Sequence, residues 1–304
     1  MLLSICIPTF NRAELLEENL LTIVSQLDAS LSSEVEIVVI DNASTDQTIE
    51  KVQRFISKHP NLTIRLFLNP KNLGLDRNVA RSIAEAHGEF CWLLGDDDFP
   101  TQGAIADLMK RLQANPKCSY YLLNYSRYDK LLNKTTSLRM AALKKDLSFS
   151  NSNEFFFTPL PRNSYFRLLG ANMLTMSANV FRRSLWQSTI ETLKPSMDTN
   201  MTHIYVISTF IRDLKEIEFI ARPMFRYLCN NFRDWGIDIW KDYRTLFYPH
   251  LGRLGYSEAL LKRAESSRLS YVPLFELLKI IGKKNLLRRP LHSLGQIYAE
   301  YRTE

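Results

Sequence analysis

The chain has 304 residues, 45% of them hydrophobic, and 39 basic against 32 acidic residues leave it at +7. That length and apolar content support one or two packed domains and exclude a low-complexity chain, while the basic excess favours anionic partners such as nucleotides or lipid headgroups. No run approaches the roughly 18 apolar residues of a membrane span, and Met1-Leu2-Leu3-Ser4 enters a strand without a basic leader, so a cytoplasmic chain without a secretory signal is expected. Cys6, Cys91, Cys118 and Cys229 are too few and too scattered for a disulfide framework or a zinc site and read as reduced thiols.

Ser4 to Pro8 reads as a first strand, after which Thr9 or Asn11 caps a helix with Leu16, Leu20, Ile23, Val24 and Leu27 on one face. Glu34 to Ile40 is a second strand that closes on Asp41-Asn42-Ala43-Ser44-Thr45-Asp46, and Ile49, Val52, Phe55 and Ile56 mark the next helix. Thr63 to Leu68 is a third strand, the loop Asn69 to Gly74 turns the chain, and a helix through Leu75, Val79 and Ile83 is stopped by Gly88. Strands alternating with helices of this length predict an α/β fold, a Rossmann-like, mostly parallel sheet flanked by helices, with the polar loops gathered at one edge.

Phe90 to Leu94 is an apolar run of the kind that forms a strand buried on both faces, and it stops at Gly95 before Asp96, Asp97 and Asp98. Three adjacent carboxylates raise each other's pKa unless a cation neutralises them, which points to a divalent metal with oxygen ligands. In extended backbone Asp96 and Asp98 face one side and Asp97 the other, so that the outer pair takes the metal. The plainer reading is a solvated acidic turn that caps the following helix.

Thr101 to Asn115 then reads as a helix and Ser119 to Tyr125 as a strand. From Tyr128 to Asn163 a polar stretch with Lys144-Lys145 and Phe155-Phe156-Phe157 suggests a long excursion over the sheet edge. Met173 to Val180 reads as a strand, Phe181-Arg182-Arg183 as a turn into a short helix, Thr202 to Ile211 as a helix and Ile217 to Ala221 as a last strand.

Taken in order, Ile7-Pro8-Thr9-Phe10-Asn11-Arg12, Asp41 to Asp46, Asn72-Leu73-Gly74 with Arg77-Asn78, and Asp96-Asp97-Asp98 resemble the amino-terminal half of the family 2 glycosyltransferases of GT-A fold. The resemblance covers about the first 120 residues and is strongest to bacterial O-antigen enzymes of the abequosyltransferase type. It implies inverting transfer of a sugar from a nucleotide diphosphate sugar to a hydroxyl of a lipid-linked or surface polysaccharide acceptor. It also implies that the residue matching Asp41 binds the base, that Pro8, Thr9 and Arg12 line the nucleotide site, and that the acidic motif holds manganese or magnesium on the diphosphate. The residue chemistry agrees. Asp41 offers two acceptor oxygens to a pyrimidine edge, with Asn11 and Arg12 near ribose and phosphate. Asn72, Gly74 and Arg77 complete the donor loop, and Asp97 flanks the metal pair Asp96 and Asp98. Asp41 also reads as an Asx turn, and Arg77 as an exposed arginine.

An inverting transfer needs a base beside the attacking hydroxyl. Many members of the family carry a Glu-Asp pair there; this chain has Met197-Asp198-Thr199-Asn200-Met201-Thr202-His203, leaving His203 and Asp198 as candidates. A core histidine and a helix-capping aspartate are the alternatives. Arg233 and Trp235 suit a loop closing over the diphosphate, or a plain surface loop.

From Ser257 the chain reads as helical, with Leu274, Leu277, Leu278 and Ile281 followed by Lys283, Lys284, Arg288 and Arg289. Such basic helices suit either peripheral contact with the inner face of a membrane or packing on the catalytic domain. The basic residues are not interleaved with aromatics, which disfavours nucleic acid. The expected organisation is a nucleotide-sugar half over 1–125, an acceptor half over 126–235 and a helical extension over 236–304. A nucleotidyltransferase is disfavoured by the lack of a glycine-rich loop after the first strand, and a catalytically inactive donor-binding or scaffold protein is the rival reading.

Overall fold

The computed structural model describes residues 1–129, 134–139, 141–161, 164, 168–193, 199–228, 248–259 and 261. Expectations for Asp198, Cys229, Arg233, Trp235 and the basic helices beyond 261 fall outside these residues. Strands β1 Leu3–Thr9, β2 Val35–Asp41, β3 Thr63–Leu68 and β4 Phe90–Leu93 alternate with helices α1 Ala13–Val24, α3 Thr48–Lys58 and α4 Leu75–Ala84, with a single-turn α2 Ala29–Ser32 before β2. There follow β5 Phe99–Pro100, α5 Ala104–Ala114, β6 Tyr120–Asp129, β7 Lys134–Arg139, β8 Leu147–Phe149, α6 Ser152–Phe157, β9 Asn179–Arg182, α7 Arg183–Thr192, α8 Thr202–Ile211 and β10 Ile217–Leu228.

All of these strands join one sheet in the order β3-β2-β1-β4-β9-β6-β10-β5, with β7 on β6 and β8 on β10. The run β3-β2-β1-β4 is parallel, as is the pair β6 and β10, and β9 is inserted antiparallel between β4 and β6. The sheet is therefore mixed, with the parallel part confined to the elements that alternate with helices. Every residue of β1, β2 and β4 is buried, as interior parallel strands covered on both faces require. β6 continues past residue 125 and pairs with strands from the second half, so both halves share this sheet.

The periodic helices form where their apolar spacing places them. Leu16, Leu20 and Ile23 of α1, Val79 and Ile83 of α4, and Ile105, Leu108 and Leu112 of α5 are buried. α8 is buried almost all round, which makes it a core helix.

Several local expectations are corrected. The strand expected over Met173 to Val180 begins only at Asn179 and runs on to Arg182, where a turn was expected; Leu169–Leu174 and Met176–Ala178 are 3-10 turns. The buried Asn179 side chain is the cause, because its Nδ2 donates to the carbonyls of Met173, Thr175 and Met176 at 3.1, 2.9 and 3.0 Å. Neither Thr9 nor Asn11 caps α1, whose N-cap position is Arg12 without a side-chain cap. Gly88 lies beyond the end of α4 and serves another purpose: a Cβ there would stand 2.6 Å from the Ser4 backbone nitrogen, so only glycine lets the chain approach β1 so closely. The excursion after Tyr128 contains β7, β8 and α6 rather than one long loop.

After β10, a short helix Tyr248–Arg253 leads to Tyr256, which packs edge-on against Phe156 with ring centroids 4.9 Å apart and donates to the Ser208 carbonyl of α8 at 3.2 Å. This part of the carboxyl-terminal region rests on the core. Cys6, Cys91 and Cys118 are free and buried. Among the described residues no helix is long and apolar enough to cross a membrane.

Candidate active site

The register of the parallel strands assembles the site. Thr9 on β1 stands opposite Asp41 on β2, which stands opposite Leu68 on β3, so the loops after these strands leave the sheet side by side. On the other flank Cys6 pairs with Leu93, and three residues further along each chain Thr9 meets Asp96, with Thr9 Oγ1 donating to Asp96 Oδ2 at 2.7 Å. This is the carboxyl edge of a parallel sheet, where open α/β folds bind ligands.

Asp41 is fully buried and divides its carboxylate between two tasks. Oδ1 accepts the Ser44 amide at 2.8 Å, which forms the Asx turn, and Oδ2 is buried without a hydrogen-bond partner. A buried unpaired acceptor is rare in folded proteins, and here it faces the loop cluster with capacity for an external donor. Asn11, in the left-handed region at φ 53°, has its side chain committed to the next loop, where Oδ1 accepts the Thr45 amide at 2.8 Å. The Arg12 amide donates to Thr48 Oγ1 at 3.1 Å, and its guanidinium charge favours the ionised form of Asp96. Pro8 is buried in β1, and Arg77 is exposed on the first turn of α4.

A set of asparagines, recognised only in part from sequence, ties together the loops after β2 and β3. Asn42 Oδ1 accepts Asn69 Nδ2 at 2.8 Å and the Leu73 amide at 2.9 Å, while its Nδ2 donates to Asn72 Oδ1 at 2.8 Å. Asn72 Oδ1 also accepts the Gly74 amide at 2.9 Å, and Gly74 sits at φ 82°, a conformation that side-chain-bearing residues rarely adopt. Asn78 closes the set by donating to the Ile40 carbonyl of β2 at 3.2 Å.

The acidic triplet is not extended. A turn closed by the Asp98 amide on the Gly95 carbonyl at 3.3 Å replaces the expected alternation, and Asp97 and Asp98 both lean over Gly95. A Cβ on Gly95 would lie 3.1 Å from Asp98 Oδ2 and 3.3 Å from Asp97 Oδ1, so the glycine makes room for two carboxylates. Asp98 is buried; its Oδ2 accepts the Ser177 hydroxyl, and its Oδ1 is buried without a partner. Ser177 Oγ also accepts the Gly95 amide at 2.8 Å, which fixes the turn from the 3-10 segment that leads into β9. Burial, reinforced by the charge of Asp97, pushes Asp96 up to about 7 against the pull of Thr9 and Arg12. Burial and Asp97 likewise push Asp98 well above the usual carboxylate range. These carboxylates are held in a configuration that a cation would relieve.

Across the site, His203 lies on the first turn of α8 and is 6% exposed. Its Nε2 stands 3.3 Å from the Leu174 carbonyl, which can only accept, so the proton sits on Nε2 and Nδ1 keeps the lone pair. Burial lowers the imidazole to about 4, and the ring is neutral. The residues that sequence reasoning missed are Ser177, Asn69 and Asp76. Ser177 lay inside an apparent apolar strand, and Asp76 looked like an ordinary acid in the first turn of a helix.

The sequence model for glycosyl transferase family 2 matches residues 4–187. The chain is 41% identical over 114 residues to the abequosyltransferase RfbV of Salmonella typhimurium, an overlap of 38% of this chain and 33% of that protein. It is 36% identical over 110 residues to the GalNAc(5)-diNAcBac-PP-undecaprenol beta-1,3-glucosyltransferase of Campylobacter jejuni, covering 36% of this chain and 34% of the relative. The match thus spans about a third of the length of either relative. In three dimensions the chain is similar to S. aureus TarS 1-349 in complex with UDP, with a TM-score of 0.61 and 14% identity over 97% of this chain and 78% of that one. That likeness establishes the GT-A architecture. With more than half of its length matched by the family model, the chain belongs to glycosyl transferase family 2.

Proposed function

We propose that the chain is an inverting glycosyltransferase that moves a sugar from a nucleotide diphosphate sugar to a hydroxyl of a lipid-linked or surface polysaccharide acceptor. The observation that carries this reading is the pair of buried, unpaired oxygens, Asp41 Oδ2 and Asp98 Oδ1, beside the Thr9–Asp96 contact at one sheet edge. A solvated acidic turn does not account for them; a base donor at Asp41 and a cation at Asp98 do. The acceptor class follows that of the relatives, one of which is a glucosyltransferase of an undecaprenol-linked saccharide.

Asp96 and Asp98 fit a divalent ion, manganese or magnesium. Both offer oxygen ligands, and both are raised by burial and by the charge of Asp97, a cost that a cation would reduce. Among the described residues there is no group of three metal-ligating side chains, so an ion held by Asp96 and Asp98 would take its remaining ligands from water and phosphate oxygens. Such an ion supplies Lewis-acid neutralisation of the leaving diphosphate. The chain's own groups position the donor. Asp41 takes the base, Pro8 and Thr9 wall the nucleotide, and Arg12, Arg77 and Arg233 supply positive charge for the phosphates. Asn11, Asn72 and Gly74 hold the loops in shape. On the acceptor side the proton is assigned to Asp198, with His203 positioning the segment, because burial lowers the His203 imidazole to about 4 and makes the ring a weak base. Reaction at the inner face of a membrane fits the basic carboxyl-terminal segment.

The weak basicity of His203 also favours a second reading, a donor-binding protein without catalysis. The two separate in one experiment. With manganese and a panel of nucleotide sugars, nucleoside diphosphate release is expected to rise when undecaprenol-linked saccharides are added, and the new linkage is expected to have inverted anomeric configuration by NMR. Asp198→Asn is expected to lower that release by roughly 100-fold or more, a typical general-base contribution. Binding of a donor with no release under any acceptor condition would establish the inactive reading instead.

A further inference from the structure

Asp76 is a buried carboxylate for which the donor site has no use. It lies on the first turn of α4, two residues after Gly74 of the donor loop, and is 3% exposed. Its partners are 123 to 126 residues away. Oδ2 accepts the Thr199 amide at 2.7 Å and the Asn200 amide at 2.8 Å, and Oδ1 accepts the Thr202 amide at 3.1 Å. The Thr199 hydroxyl lies 3.4 Å from the same Oδ2.

These amides belong to the entry of α8, which lacks a cap of its own. Its N-cap residue Met201 carries no capping side chain, so the unsatisfied amides at the start of the helix are served from α4. Asn200 adopts the left-handed region at φ 56°, which turns consecutive amides toward one anion. A buried carboxylate is costly unless its charge is met, and the amides of Thr199 and Asn200 just ahead of α8 and of Thr202 at its first position meet it. This contact therefore ties the start of α4, directly after the donor loop Asn72–Gly74, to the stretch Thr199–Thr202.

We propose that Asp76 is a positioning residue that holds the acceptor-side entry of α8 in fixed register with the donor loop. The proposal rests on the glycosyltransferase reading given above and deepens it. Asp76 touches neither reacting group; it sets the distance between the segment that receives the acceptor and the loop that presents the donor. Misplacement of a catalytic segment by about 1 Å costs on the order of 100-fold in rate.

The test uses the full chain and the near-isosteric Asp76→Asn, which loses the charge and one acceptor oxygen. Amide hydrogen exchange, which needs no ligand, is expected to speed up at Thr199, Asn200 and Thr202 and to stay unchanged at Asn42 and Ser44. With the nucleotide sugar selected by the panel, kcat for transfer is expected to fall roughly 10- to 100-fold while the donor KM stays within about twofold. Asp76→Glu, with charge and acceptor count kept, is expected to recover part of kcat, and it carries the same readouts should the asparagine variant not fold. Unchanged exchange, unchanged kcat, or a donor KM that rises in step with the loss of kcat would overturn the proposal. Failure of the wild type to turn over any donor would overturn the glycosyltransferase reading, and hydrogen exchange would still decide whether Asp76 clamps the entry of α8.

Discussion

Asp98→Asn is expected to lower transfer by about 10³-fold while leaving the unfolding midpoint unchanged or raised. The two halves of this result come from one fact, the cost of keeping Asp98 ionised where it is. Its carboxylate is buried, has Asp97 beside it across Gly95, and leaves Oδ1 without a partner. Asparagine keeps the shape and an oxygen for the Ser177 hydroxyl but removes the repelled, desolvated charge, which relieves the fold. The same change removes the anionic ligand for the divalent ion, and with it the neutralisation of the leaving diphosphate. Nucleoside diphosphate release and chemical unfolding measured on one preparation decide the matter. A variant that is less stable yet still active would return the triplet to a structural turn.

The largest stability effect is expected at the opposite edge of the sheet, in Glu36→Ala, which should cost about 3–5 kcal/mol. Glu36 is wholly buried in β2 and gathers four donors: the Ser4 hydroxyl at 2.6 Å, the His87 and Gly88 amides, and Arg65 Nη1 at 3.3 Å. Alanine takes the acceptor from the buried Ser4 hydroxyl and the His87 amide, leaves the Gly88 amide with Ser4 Oγ at 2.7 Å and Arg65 with the Glu85 carbonyl at 2.6 Å, and removes the carboxylate that links β1, β3 and the α4–β4 connection to β2. Burial alone would raise the Glu36 pKa; the Ser4 hydroxyl, the His87 amide and Arg65 outweigh it and hold the group below its ordinary value. The sign follows from that depression. Glu36 contributes its stability in full above about pH 4.3, the unfolded value, and loses it as pH falls through the lower native value. Denaturant titrations of wild type and Glu36→Ala between pH 7 and 3 are therefore expected to differ most at neutral pH and to converge in acid. Nucleotide binding by the folded variant should match wild type, since Glu36 lies at the far end of β2 from Asp41. An equal gap at every pH would mean that the charge of Glu36 contributes nothing.

The parts of the fold that were legible in the sequence are those governed by local patterns. Continuous apolar runs such as Val35 to Ile40 and Phe90 to Leu93 identify doubly covered strands, and the helix over Thr202 to Ile211 follows from its apolar density. The loops after β1, β2 and β3 could be assigned to one edge because parallel β-α units leave no other arrangement. Contacts set by register or by distant partners were not legible. Thr9 meets Asp96 only because Cys6 is paired with Leu93, and Ser177 reaches Asp98 from 79 residues away. The apolar stretch from Met173 looked like a strand because nothing local shows that Asn179 will collect its carbonyls. Asp76 was hidden for a similar reason: an acid in the first turn of a helix is ordinary, and its partners on α8 become visible only once α4 and α8 are packed together.

The most direct measurement is calorimetric titration of the full chain with uridine, cytidine, guanosine and thymidine diphosphates, each with manganese and with a chelator, on wild type and Asp41→Ala. One diphosphate is expected to bind, with manganese only, and to lose most of its affinity when Asp41 is removed. Absence of binding by any diphosphate, or binding indifferent to both the metal and Asp41, would contradict a nucleotide-sugar site at the carboxyl ends of β1, β2 and β4.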